Sequence, residues 1–137
     1  MLIWTEQFAT GFPKIDEQHR QLIRHVNQLE AKLVNTNPTV EDIASVGKFI
    51  DFLEDYINSH FNFEEQCMAC HRCSVHDQNK SAHEKFRQLF HRFKEKSRKE
   101  GYRMELLVDL NQSINAWIQD HILRIDTQLK PLAGKAA

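Results

Sequence analysis

Apolar positions along the chain repeat a single interval. From Ile15, the residues Leu22, Val26, Leu29 and Leu33 fall at alternating steps of three and four once His19 is counted among them. Val46, Ile50, Leu53 and Ile57 continue into His60 and Glu64 at the same interval. Phe93, Phe90 and Phe86 run back to His83 and Asn79, and Leu107, Leu110, Ile114 and Trp117 run on to His121. Such steps keep side chains on one face of an α-helix. The pattern predicts four amphipathic helices over about 16–35, 39–68, 76–100 and 103–128, with Asp16 as N-cap of the first. With only four glycines, three prolines and no alternating β-branched run, strands have almost no support.

Short links between long helices force neighbours to run antiparallel. The expected fold is therefore all-α: an up-down-up-down antiparallel four-helix bundle behind an N-terminal arm over about 1–14, forming one domain across 1–137. That topology places the polar residues that interrupt the seams at one end. His19 lies near the start of the first helix, His60 and Glu64 towards the end of the second, Asn79 and His83 near the start of the third, and His121 near the end of the fourth. Burying four imidazoles with a carboxylate carries a large penalty unless something bonds them, and a metal ion removes it. Mixed imidazole and carboxylate ligation suits first-row transition metals, and a bundle core is the usual setting for a pair of iron ions. Glu64, one turn beyond His60, is placed to bridge two metals, whereas Glu65 is rotated by about 100° and is expected in solvent.

Composition narrows the partners. Eighteen basic residues against nineteen acidic ones give a net charge of −1, which suggests neither nucleic acid nor a membrane surface. The N-terminus lacks a secretory pattern and no apolar run is long enough to cross a bilayer, so a cytoplasmic protein is expected, and four sealed seams suggest a monomer. Cys67, Cys70 and Cys73 follow at three-residue steps beside His71. "CMACH" fits the haem attachment pattern, but that attachment takes place outside the cytoplasm, so no haem is expected. The spacing also permits a zinc site or a redox-sensing dithiol, and incidental helix-end cysteines are the favoured reading. His25, about 240° round from His19, is expected in solvent, and His91 lies off its seam.

The stretches "TGFPKIDEQHRQL", "HFNFEEQCM", "HEKF" and "WIQDHILRID" together resemble the hemerythrin family, in particular its bacterial members, the bacteriohemerythrins. The resemblance runs from Trp4 to about Leu132. It implies two non-haem iron ions that bind dioxygen reversibly, bridged by one glutamate, one aspartate and a solvent-derived oxo or hydroxo group. It also implies roles: His19 and His60 on the iron that takes up oxygen, His83 and His121 on the other, Glu64 and Asp126 as bridges, and Ile118 with Trp117 lining the oxygen pocket. Helical spacing alone does not select Asp126, which lies about 140° round an ideal helix from His121; local widening at the helix end is one way to bring it inward.

The sequence departs from the family at "NKSAH", where Asn79 stands in place of a further histidine ligand. Three arrangements are open. Asn79 ligates through its side-chain oxygen, water takes the position with Asn79 bonded to it, or His76 swings in from roughly 10 Å along the helix. The second is favoured. A vacancy or labile water there lets ligands such as azide, peroxide or nitric oxide approach both metals, so a di-iron peroxidase or oxidase, or a redox- or nitric-oxide-responsive protein, stands as the alternative to an oxygen binder for storage, delivery or sensing.

Overall fold

A computed structural model describes residues 1–34 and 37–134. Its helices are α1 (Pro13–Lys32), α2 (Val40–Cys70), α3 (His76–Glu100) and α4 (Met104–Arg124), with short 3-10 segments at Glu6–Phe8 and Asp126–Leu132. Each long helix packs on two neighbours in the cyclic order α1, α2, α3, α4. The starts of α1 and α3 meet the ends of α2 and α4, as an antiparallel bundle requires. No helix among the described residues is long and apolar enough to cross a membrane.

The seams read from the sequence form the core. Leu22, Val26, Leu29, Ile50, Leu53, Ile57, Phe86, Phe90, Leu107 and Ile114 are all buried in one cluster. A second cluster, of Ile15, Met68, Cys73, Val75, Ile125 and Leu129, closes the end of the bundle. At about 25 cal/mol per Å² of apolar surface removed from water, these layers are the main stabilising contribution.

The helix ends have separate causes. α2 starts in a capping box: the Asp42 backbone N–H donates to Thr39 Oγ1 at 3.1 Å and the Thr39 N–H donates to Asp42 Oδ2 at 2.9 Å. It stops where Arg72 adopts a φ of 52° and the Cys73 N–H turns back to the Met68 carbonyl at 2.9 Å. α3 stops at Gly101, with a φ of 81°. α1 departs from expectation. It begins at Pro13 rather than at 16, because proline's fixed φ suits a first helical position. Asp16 is therefore not the N-cap. Its carboxylate instead accepts from the Thr10 N–H and Oγ1, each at 2.8 Å, and from the Gly11 N–H at 3.2 Å. The first helix ends at Lys32; the expected end at 35 lies outside the described residues, as do 135–137 of the expected domain.

α4 is also shorter than expected. The α-helix ends at Arg124, and a 3-10 segment follows rather than a continued α-helix to 128. The bend falls at Ile125, whose N–H still reaches the His121 carbonyl at 2.8 Å while the Gln128 N–H donates to the Ile125 carbonyl at 3.0 Å. Winding here tightens, where widening was the expectation, and the tightening turns Asp126 inward to 1% exposure.

Candidate metal centre

Between the main core and the end cluster lies one polar layer. His19 follows Ile15 by a turn and precedes Leu22, Glu64 sits between Phe61 and Met68, and His121 between Ile118 and Ile125, so each helix passes from one apolar layer to the other through a polar residue. His19, Glu64, Asn79 and His83 are fully buried, and His60, His121 and Asp126 are nearly so.

The two carboxylates divide this layer oxygen by oxygen. Glu64 Oε2 lies 3.0 Å from His19 Nε2 and 3.1 Å from His60 Nε2, while Glu64 Oε1 lies 3.2 Å from His83 Nε2. Asp126 repeats the division, with Oδ2 3.3 Å from His19 Nε2 and Oδ1 3.2 Å from His121 Nε2. His19, His60 and Glu64 bring donor atoms within 4.8 Å of one another, and so do Glu64, His83, His121 and Asp126. All six expected metal-site residues thus meet in one place.

Protons decide what such a cluster can hold. His83 Nδ1 lies 2.8 Å from Glu65 Oε2 and His60 Nδ1 lies 2.7 Å from Gln18 Oε1. A carboxylate only accepts, so His83 Nδ1 is the donor, and in the form of the ring that can bind a metal Nε2 carries the lone pair. That lone pair faces Glu64 Oε1, acceptor against acceptor. On the same side, His83 Nε2, His121 Nε2, Asp126 Oδ1 and Asn79 Oδ1 are all buried without a hydrogen-bond partner. Buried acceptors turned on one another are repulsive unless a cation lies among them. The side chains therefore fit a metal pair in donor type, in protonation and in the way both carboxylates are shared.

Without a metal the layer takes up a proton. Burial opposes charge on His19, but hydrogen bonds to Asp126 and Glu64 outweigh it and push its pKa from 6.5 to about 10. Burial lowers the pKa of His60. Burial also resists charge on Glu64, yet the neighbouring His60 and the hydrogen bond from His19 hold its carboxyl well below the usual range.

Gln18, which the sequence reading passed over, and Glu65, which it expected in solvent, orient the donors. Glu65 is not in solvent: it is 14% exposed, bonded to His83 and 3.6 Å from an Arg87 amino group. Gln18 bonds His60 through its side chain and accepts from the Tyr56 hydroxyl at its carbonyl, 2.9 Å away. The available signal was adjacency, since each follows or precedes a seam residue and so lies at the edge of the packed face. Rings complete the walls. Phe61 stacks on His83 with centroids 3.7 Å apart, Trp117 stacks on His121 at 4.2 Å, and Ile118 is buried in the main core.

Other expectations resolve as follows. Asn79 Nδ2 donates to Glu64 Oε1 at 3.0 Å and contacts Met68 Sδ at 3.2 Å. His76 does not swing in; it pairs with Asp77 at 3.2 Å. His25 is not simply solvated, because α1 turns it onto Phe52 and Tyr56, at centroid distances of 5.0 and 5.1 Å. His91 is exposed. Cys67, Cys70 and Cys73 are unpaired, and among the described residues they form no third cluster of three donors.

Comparison with known proteins agrees with this geometry. A solved crystal structure of wild-type hemerythrin superposes with a TM-score of 0.85 at 24% identity, covering 98% of this chain and 99% of that one, which shows the fold. Bacteriohemerythrin from Pseudomonas aeruginosa strain LESB58 is 29% identical over 131 residues, covering 91% of this chain and 76% of that protein. Bacteriohemerythrin from Clostridium acetobutylicum is 27% identical over 131 residues, covering 93% and 98%. A further match, bacteriohemerythrin from Stenotrophomonas maltophilia, is 38% identical over 68 residues, which is 50% of this chain and 41% of that protein. The model of the hemerythrin HHE cation-binding domain matches residues 10–133, and with the donor-lined layer at the bundle's end this places the chain in the hemerythrin family.

Proposed function

We propose that this protein binds dioxygen reversibly at a pair of non-haem iron ions, for storage, delivery or sensing. His19 and His60 would hold one ion and His83 and His121 the other, with Glu64 and Asp126 each offering one oxygen to either side. The observation that carries the reading is that oxygen-by-oxygen division: two carboxylates whose four oxygens each face an imidazole Nε2 from their own side. Two ferrous ions would supply the electrons that dioxygen takes up on binding and returns on release.

The protein's part is orientation and exclusion of water. Glu65 and Gln18 keep protons on the outer nitrogens of His83 and His60, leaving Nε2 free for a metal. Phe61 stacks on His83 and Trp117 on His121, and Ile118 is buried in the core beside them, so apolar surface backs the imidazoles and limits the water and protons that drive irreversible oxidation. A second reading, a di-iron peroxidase or oxidase, is favoured only by Asn79, an amide where a further imidazole would close the centre.

Metal analysis and optical spectra of the anaerobically reduced protein, before and after admitting oxygen, test the first reading. Two irons per chain and an absorption band that appears with oxygen and disappears under vacuum are expected. One iron per chain would overturn it, and a band that does not reverse while peroxide is consumed would overturn it in favour of the enzyme.

A further inference from the structure

Each side of the centre draws the same protein donors, two imidazoles and one oxygen from each carboxylate, and what distinguishes the second side is Asn79. Its amide is fully buried and bound at one end only: Nδ2 donates to Glu64 Oε1 and touches Met68 Sδ, while Oδ1 has no partner. Turning the amide over would set Oδ1 against Glu64 Oε1, acceptor on acceptor, and would lose the Met68 contact. Glu64 therefore fixes the orientation in which nitrogen, which has no lone pair to give, faces the shared carboxylate.

We infer that Asn79 is not a metal ligand but a specificity-determining residue, which leaves the His83–His121 side with a position for a small exchangeable ligand of its own. The inference rests on the reading that this side holds an ion. The leftover Oδ1 suits a ligand that carries a proton, such as water at rest or hydroperoxide, because a proton donor satisfies a buried acceptor. A cleft of about 280 Å³ opens between α3 and α4, reaching His121 and Trp117 past Ser81 and carrying Lys85 and Arg124 at exposed positions. Only Asp120 offsets those two cations, and it already pairs with Arg124 at 3.2 Å, so the approach favours a small anion.

Cobalt(II) and azide test this without oxygen chemistry. Cobalt(II) reports its coordination number through the intensity of its visible bands, and azide replaces exchangeable ligands. Wild type loaded with two cobalt ions per chain is expected to bind two equivalents of azide. Asn79→Ala, which removes the amide but adds no donor, is expected to bind two as well, and Asn79→His, which supplies an imidazole, only one. If wild type binds one equivalent and Asn79→Ala two, Asn79 is itself a ligand and the inference is overturned. One equivalent in all three proteins overturns it equally. Far-UV circular dichroism checks that each variant is folded, and the wild-type count needs no variant. Failure of wild type to hold two cobalt ions would instead refute the underlying assignment of a metal pair.

Discussion

Glu65→Gln isolates the contribution of a residue that touches no metal position. In the wild type the Glu65 carboxylate accepts from His83 Nδ1 at 2.8 Å, in surroundings that leave it 14% exposed. A hydrogen bond to a charged group contributes about 1.5–3 kcal/mol and a neutral one about 0.5–1.5. Exchanging carboxylate for amide keeps the acceptor and removes the charge, so it costs about 1–1.5 kcal/mol of ligand orientation and basicity, or about five- to tenfold in affinity. Glu65→Ala removes the acceptor as well, frees the ring to turn, and is expected to cost about 10–100-fold. The loss should fall on one of the two ions, because His83 faces only Glu64 Oε1. Zinc(II) titration in competition with a chromophoric chelator resolves the two binding steps. One weakened step beside one unchanged step is expected, in the order Ala worse than Gln. Two unchanged steps in both variants would refute the argument that His83 binds through an Nε2 set by Glu65. Two equally weakened steps would show that Glu65 acts on the fold rather than on one ring.

Other consequences are sharper in direction than in size. Glu64→Gln, which keeps shape and removes charge, is expected to leave the helices intact by circular dichroism while abolishing uptake of both ions, since both sides use its oxygens. Metal must displace the proton that His19 holds with a pKa of about 10, so metal affinity is expected to rise with pH towards that value, with proton release measurable in weakly buffered indicator solution. In the metal-free protein the sign is opposite: a folded pKa near 10 against an ordinary 6.5 gives stability that is full below 6.5 and is lost as pH rises through 10, which denaturant titrations across that range would show. Gly11→Ala is expected to destabilise by about 2 kcal/mol or more, read as a lowered Tm. The glycine has a φ of 83°, and an added Cβ would meet that of Ala133 at 2.6 Å.

The fold was legible because periodicity and burial are the same fact. A polar residue at a seam position has nowhere to go but inward, so His19, His60, Glu64, His83 and His121 could be read from their steps along each helix. Asp126 could not, because it acts from beyond the end of α4 and its direction depends on a change of winding at Ile125. It was reached only through resemblance. Glu65 and Gln18 were missed for a different reason. Periodicity says which face a residue is on, not which side chain of the next helix comes within reach, and both sit at the border of a face where solvent and a neighbouring imidazole compete. Asp16 misled because an acidic residue before an apolar repeat looks like an N-cap. Here it ties the Thr10–Gly11 turn to the first turn of α1 instead.

One layer of the bundle is thus built against the logic of the others. Above and below it, apolar side chains from all four helices exclude water and attract by contact. Within it, the same helices present lone pairs to one another, as His83 Nε2 does to Glu64 Oε1 at 3.2 Å. That arrangement is poor packing without a cation and would be strong cross-linking with one, because an ion held by Glu64, His83, His121 and Asp126 would join α2, α3, α4 and the segment after it. The residues of the His83–His121 side are therefore both the ones that make the centre functional and the ones whose lone pairs repel in the empty bundle. Their cost is confined by the two apolar clusters on either side, which fix the helix ends before any metal arrives and hold the donors close to the positions an ion needs. Preorganisation of this kind explains why orienting contacts such as Glu65 to His83 lie just outside the layer. Rings already confined by packing need only one further bond to set the direction of their lone pairs.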